Sequence, residues 1–396
     1  MLNRVALFLA CALALSTAEA IELGDGVQAH GFLSQSLVYT SGNRVGGNSD
    51  DGLAIDMREI GGNLSWRPNA DWLLSGQVLA RWAGESDGGD LRLDYGFIDR
   101  TLLADGDTSV GLRLGKIKNP YGFYNTTRDV AHTRPGIIMP QSIYMDRARN
   151  FWLAAPGVSL YGNHENPGGN LSWQVSALQP EVDDPDLTYF MTGKNFGRFA
   201  GEHSWLGQAM LETVGGRWRA GLSLGQMAMQ YRPGAGDDLE PGDTRLPTWV
   251  LSVEHNMEFW SLTAEYGQTK VLSRNYGATP HAISIEQDNT TEAWYVQATR
   301  RMGNGWQGFL RYDVFYFDKK DRDGTSFAAS SAYTLPARMR FAKDWSFGVR
   351  RDVGRWAWSG EWHHVDGTAW LSPTDTPTRA SVRKWDLLLL QGAWYF

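Results

Sequence analysis

Seven tight turn signals punctuate this chain, and a longer polar segment separates each from the next. The turns fall at 67–71 (RPNAD), 104–106 (ADG), 164–168 (HENPG), 214–216 (VGG), 256–258 (NME), 303–305 (GNG) and 352–354 (DVG). The longer segments fall at 41–52, 83–90, 119–152, 181–203, 232–246, 272–288, 319–336 and 367–380. Strict alternation of this kind leaves few folds open, because it places every tight turn at one end of the molecule and every long segment at the other. Seven short and eight long connections divide the chain into sixteen stretches. An even number of antiparallel strands can close on itself and leave no unpaired edge. The limits shift by a few residues, so fourteen or eighteen strands also fit.

Within the stretches, side chains alternate with the period of two that a strand requires. DWLLSGQVLARW (71–82) puts Trp72, Leu74, Gly76, Val78, Ala80 and Trp82 on one face, against Leu73, Ser75, Gln77, Leu79 and Arg81. LRLDYGFIDR (91–100) reads as Leu91, Leu93, Tyr95 and Phe97 against Arg92, Asp94 and Arg100. GWQGFLRYDVFYF (305–317) sets Trp306, Leu310, Tyr312, Val314 and Tyr316 against Gln307, Arg311 and Asp313. RWAWSGEWHH (355–364) sets Trp356, Trp358, Gly360 and Trp362 against Ala357, Ser359, Glu361 and His363. A soluble β-sandwich would bury the apolar face as its core. Trp at the ends of strands instead suits a membrane boundary, where an amphipathic ring sits best.

Composition agrees. The chain carries 45 Gly, 18 Trp, 15 Tyr and 16 Phe with a mean hydropathy of only −0.37. No stretch beyond the first residues nears the roughly 18 consecutive apolar residues of a membrane helix. The expectation is therefore an all-β fold: a transmembrane antiparallel barrel of about sixteen strands. The opening MLNRVALFLACALALSTAEA has one charge, Arg4, an apolar run from Val5 to Leu15, and Ala18-Glu19-Ala20 at its end. It reads as an export signal over 1–20, with one barrel domain over 21–396. Cys11 is the only cysteine, so the exported chain is expected to use neither disulfides nor a thiolate.

The connection at 119–152 is the longest. It carries Tyr121, Phe123, Tyr124, Ile137, Ile138, Met139, Ile143, Tyr144, Met145, Phe151 and Trp152, too much apolar surface to stay in water. It is expected to fold into the barrel and narrow it. Between 118 and 152, five cations (Lys118, Arg128, Arg134, Arg147, Arg149) face two acids (Asp129, Asp146). On the strands, Arg81, Arg92, Arg113, Arg219, Arg311, Arg338, Arg340 and Arg350 are expected to line the lumen. The net charge is −7, and acids gather in the long segments at 85–90, 181–186 and 236–243. The chain thus reads as cationic inside and acidic outside. A basic constriction favours anions; the same arginines can instead pair with Asp94, Asp129, Asp146 and Asp313 and hold the loop.

The export segment, cysteine-free remainder, sixteen-strand rhythm, long third outer connection and aromatic ending together resemble the Gram-negative outer-membrane porin superfamily over the whole chain. That resemblance implies a passive diffusion channel for small hydrophilic solutes, a homotrimer, and contact with outer-membrane lipid and lipopolysaccharide. The basic stretch after RLGKIKNPYGFYN is loosely similar to the phosphate-selective porins, but their loop motif is not matched residue by residue. The final LLLLQGAWYF alternates Phe396, Trp394, Gly392, Leu390 and Leu388 toward lipid, and is similar to the terminal strand through which such barrels meet their assembly machinery. Leu387 and Leu389 on the opposite face blur the alternation, which fits a drier lumen here, a neighbouring subunit or the inward loop against this strand. Transport of lipid-like substrates and a barrel enzyme are the alternative functions.

No catalytic residue, cofactor, metal site or nucleic-acid partner is expected. His203-Ser204 and His132-Thr133 are sequence neighbours without a motif, and the acidic loops lack the spacing of a calcium loop. His363 and His364 are adjacent on a strand, so they point to opposite faces and cannot chelate one ion together.

Overall fold

The computed structural model of the protein describes residues 21–182, 185–193, 196–331 and 335–396. The expected export segment lies outside them. Sixteen antiparallel strands form one sheet. The first five are β1 (Val27–Thr40), β2 (Ala54–Trp66), β3 (Trp72–Trp82), β4 (Arg92–Asp105) and β5 (Thr108–Lys118). After the longest connection come β6 (Ala154–Asn166) and β7 (Gly169–Leu178). Strand β8 is interrupted, running Arg198–Gly201 and then Ser204–Thr213, and both pieces pair with β9 (Trp218–Arg232). Then come β10 (Asp243–Asn256) and β11 (Trp260–Arg274), followed by β12 in two pieces, Gln287–Thr290 and Glu292–Gly303, both paired with β11. The last four are β13 (Trp306–Tyr316), β14 (Phe341–Val353), β15 (Trp356–Gly367) and β16 (Lys384–Tyr395). Each strand pairs with the next, and β16 pairs with β1 from Leu387↔Thr40 to Tyr395↔Phe32. The barrel is closed.

Closure reaches the last residue. Gly31 and Phe396 exchange backbone hydrogen bonds of 3.2 and 3.0 Å. A Cβ at residue 31 would lie 2.3 Å from the Phe396 ring, so only glycine leaves room for it. A short strand, Ile21–Gly24, folds back on the start of β1.

The outer surface is the apolar one. Leu74's neighbours on the lipid side include Val78, while Leu388 and Leu390 of β16 are 44% and 51% exposed. Leu387 and Leu389 are fully buried. Exposed Trp66, Trp72, Trp218, Trp260 and Trp306 ring the short-turn end. Three of them carry an arginine from the directly opposed position of the next strand: Arg100 on Trp72 at 5.2 Å, Arg300 on Trp260 at 5.2 Å and Arg351 on Trp306 at 5.1 Å. Such a belt suits a membrane–water boundary, with the ring in the interface and the charge reaching toward water. Among the described residues no helix is long and apolar enough to cross a membrane; the chain crosses with strands.

Strand β4 departs from the simple alternation in a way that moves side chains across the wall. Gln77 pairs with Tyr95 while Val78 pairs with Leu93, so Asp94 is an extra residue in β4. A bulge shifts the phase that follows it. Tyr95 and Phe97 therefore do not share the lipid face with Leu91 and Leu93. The Tyr95 hydroxyl accepts from Asn63, and Arg113 stands 5.3 Å over Phe97. Arg100 is turned outward onto Trp72, the reverse of the expected side. The long connections are also less bare than expected. They hold the short helices α1 (Pro185–Thr192), α2 (Pro280–Ile285) and α3 (Thr325–Ser330), and 181–203 and 272–288 contain strand residues at their edges.

Candidate functional site: the inward connection and the cavity above it

The connection after β5 turns into the barrel and crosses it. Its neck is clasped: the Asn119 backbone N–H donates to Leu153 O at 2.9 Å, and the Asn125 side chain donates to Asn119 O and Trp152 O at 3.0 and 2.9 Å. Gly122 sits at φ 59°, and a Cβ there would lie 2.2 Å from the Tyr144 hydroxyl. The loop can make this bend only with glycine.

A coil in a lumen must still satisfy its backbone, and wall side chains do so on all sides. Glu265 of β11 accepts from the Phe123 N–H at 2.9 Å, from the Tyr144 hydroxyl at 2.6 Å and from the Tyr295 hydroxyl at 2.8 Å. Glu361 of β15 accepts from the N–H groups of Ile137 and Ile138, the latter at 3.2 Å. Asp313 of β13 accepts from the Ser142 N–H at 3.3 Å. Gln208 donates to Gly122 O at 2.7 Å, Arg311 to Ile138 O at 3.0 Å and Arg350 to His132 O at 2.6 Å. Ile137, Ile138 and Met139 pack in one buried cluster with Leu387 and Leu389. The inward leucines of β16 are the loop's apolar seat.

The picture of cations inside and acids outside is corrected here. Glu59, Asp94, Asp99, Glu265, Asp313, Asp344 and Glu361 are all buried on the lumen side. Their signal was present in the sequence, since Asp94, Asp313 and Glu361 stand opposite apolar faces.

Six of the seven residues assigned to the constriction meet in one ionic cluster. Glu59 bonds Arg134 at 2.6 Å and Arg81 at 3.3 Å, with Arg149 at 4.0 Å. Asp146 bonds Arg128 at 2.9 Å and lies 3.8 Å from Arg81. Asp129 meets Lys118 and, at 3.4 Å, Arg149. Lys118 also reaches Asp94 at 2.8 Å, and Asp87 bonds Arg81 and Arg92 at 3.3 and 3.0 Å. Burial opposes ionisation of Asp146, but Arg81, Arg128 and Arg149 outweigh it and hold the carboxyl well below the usual range. Six cations meet five acids here, so the cluster clamps the loop to β2, β3 and β4 and most of its positive charge is compensated.

The other wall arginines separate from it. Arg113 bonds Asp99 at 2.7 Å and covers the Tyr161 ring at 4.0 Å. Arg219 bonds Glu254 at 3.1 Å and covers Phe123 at 4.9 Å. Arg338 and Arg340 are not on the wall at all: they lie on a 3-10 turn, Ala337–Arg340, in the connection before β14. Arg338 braces that connection by donating to Arg379 O at 2.9 Å. Paired histidines behave as expected, His363 facing Asp344 and Glu361 inside and His364 facing Asp386 outside.

Arg147, the seventh residue, turns away from the cluster toward the long-loop end. There the inward connection and the outer connections enclose a cavity of about 760 Å³. Three arginines line it, Arg147, Arg340 and Arg379, and no Asp or Glu does among the described residues. Arg147 and Arg340 stand over the same ring, 5.1 and 4.7 Å from the centre of Phe317. Sequence reading could not separate Arg147 from Arg149, two residues away. The chain passes from a 3-10 turn (Asp146–Ala148) into a helical turn (Arg149–Leu153) between them, and this sends the two side chains apart.

A closed sixteen-stranded barrel with its longest connection drawn inside is similar in fold to solved outer-membrane porins and channels. Solved structures similar to it include an anion-selective porin from Comamonas acidovorans (13% identity, TM-score 0.58, covering 93% of this chain and 99% of that one). The outer membrane channel DcaP of Acinetobacter baumannii is similar at 13% identity and TM-score 0.59, over 96% of this chain and all of that one. OprB of Pseudomonas putida is similar at 11% identity and TM-score 0.58, over 96% and 99%. No protein-family model matches the chain, and no curated protein sequence does.

Proposed function

We propose that the protein is a diffusion channel of the Gram-negative outer membrane that passes small hydrophilic solutes and prefers anions. The observation that carries the preference is the cavity at the long-loop end, lined by three arginines and no described carboxylate. A solute arriving from outside meets this field before it meets the largely compensated ionic cluster. Fixed positive charge in a confined space concentrates anions and lowers their barrier. On this reading Arg147, Arg340 and Arg379 form the selective element, while Lys118, Arg128, Asp129, Arg134, Asp146 and Arg149 shape the opening. Homotrimer formation belongs to the same proposal; one similar solved structure, OmpT of Vibrio cholerae, is described in a trimer form.

Bilayer recording of the purified protein across a salt gradient tests the preference. The expected reversal potential has the anion-selective sign, and it shrinks in the Arg147→Gln, Arg340→Gln double variant. A cation-selective sign in the unaltered protein overturns the reading. Light scattering of the detergent complex tests the trimer.

A further inference from the structure

The same cavity has a second property that selection among inorganic ions does not need: most of what lines it is apolar. Phe151 and Trp152 come from the inward connection, Met191 from α1, Met229 from β9 and Met339 from the turn before β14. Hydrated chloride or phosphate gains nothing from such surface, whereas an apolar body loses its unfavourable contact with water there. Three of these five are methionines, whose flexible thioethers adapt to bodies of different outline. The volume falls in the usual range of a small-molecule site, about 300–1,000 Å³.

The polar part of the lining is as specific as the apolar part. Arg147 and Arg340 both line the cavity and both stand over Phe317, and Arg340 also stands 4.4 Å over Phe327. Arg340 is 8% exposed. Burial, with the like charge of Arg340, pushes Arg147 down to about 9, which is still charged at neutral pH. Two guanidiniums that share one aromatic ring and act electrostatically on each other suit a carboxylate, which can accept from them. A neutral hydrocarbon would make no charge-assisted hydrogen bond to either guanidinium.

We propose that this cavity binds amphipathic organic acids, with the carboxylate on Arg147 and Arg340 and the apolar body against Trp152 and the methionines. The channel then captures such a solute at its outer mouth before passing it inward. This rests on the anion-preferring channel reading and names the class of anion.

Single channels of the full-length protein in planar bilayers provide the test, with 4-phenylbutyrate, acetate and 4-phenylbutanol added in turn to the long-loop side. Phenylbutyrate is expected to interrupt the chloride current saturably, at a concentration at least about tenfold below either comparison compound. Arg147→Gln should raise the half-blocking concentration of phenylbutyrate about tenfold, and Met191→Gln should raise it while leaving any effect of acetate alone. Heat-modifiable migration on gels reports whether each variant is folded. Equal action of phenylbutyrate and acetate overturns the apolar subsite, and equal action of phenylbutyrate and phenylbutanol overturns the carboxylate subsite. Either result combined with an anion-selective reversal potential leaves the channel reading standing. A cation-selective potential removes the reading beneath it.

Discussion

The Tyr144 hydroxyl donates to a Glu265 carboxylate oxygen at 2.6 Å, and Tyr295 reaches the same oxygen at 2.8 Å. One comes from the inward connection and the other from the wall, so a single buried carboxylate holds the loop across the lumen. Tyr144→Phe removes one donor and leaves the loop's ring packing in place. The expected loss is about 1–3 kcal/mol, enough to let the loop leave its seat part of the time. Single-channel records should show added open-state noise and a larger mean conductance. Traces indistinguishable from the unaltered protein would show that the bond does not hold the loop.

Removing a partner from the ionic cluster should act on stability first. Arg134 is 7% exposed at its side chain and bonds Glu59, itself 4% exposed, at 2.6 Å. Arg134→Gln leaves that carboxylate short of a partner in a buried place, at a cost of about 3–5 kcal/mol. The midpoint of denaturant unfolding should fall, while ion preference shifts less than in Arg147→Gln. The opposite ranking would place the selective field in the cluster.

His132 gives the molecule a pH dependence. Its ring stacks on Tyr395 with centres 3.9 Å apart. Burial, reinforced by Arg350, pushes its pKa down from 6.5 to about 4. The folded protein holds the ring neutral where the unfolded chain would already bind a proton, so this contribution to stability is complete above about pH 6.5 and is lost as pH falls toward 4. His132→Phe keeps the stacked ring and removes the titration. The drop in thermal midpoint between pH 7 and pH 4 should be smaller in the variant than in the parent; equal drops would assign the acid sensitivity elsewhere.

The seam strand offers an internal control. Leu387 is fully buried against the loop, and Leu388 is 44% exposed on the lipid face. Leu387→Ala opens a cavity and should cost about 2–5 kcal/mol. Leu388→Ala should cost much less, because lipid chains fill the space. Urea unfolding from bilayers compares the two directly, and similar losses would mean that the loop does not rest on β16.

Much of this fold could be read in the sequence, for a physical reason. Alternation along a strand and the contrast between short and long connections are local, so Val27–Thr40 and the sixteen-strand closure were legible from neighbours in the chain. The misplacement of Tyr95, Phe97 and Arg100 came from one extra residue, Asp94, whose bulge depends on pairing with β3. The apolar content of 119–152 announced a packed loop. What it packs on could not be read: Arg134 finds Glu59 75 residues earlier, and Ile137 finds Glu361 224 residues later. Charges counted along the loop gave an excess of cations because their acidic partners lie elsewhere in the chain.

Those distant partners also set an order of events. The inward connection is made early in the chain, but Glu265, Asp313, Glu361, Leu387 and Leu389 all come after it. The first strands supply the ionic clamp on Glu59, Arg81 and Asp94, but neither these acceptors nor the apolar seat. The loop's backbone amides gain their acceptors one wall at a time, and the apolar seat arrives only with the strand that closes the cylinder. The inner opening of this barrel is therefore complete only when its wall is closed, and a molecule with a finished opening has a finished wall.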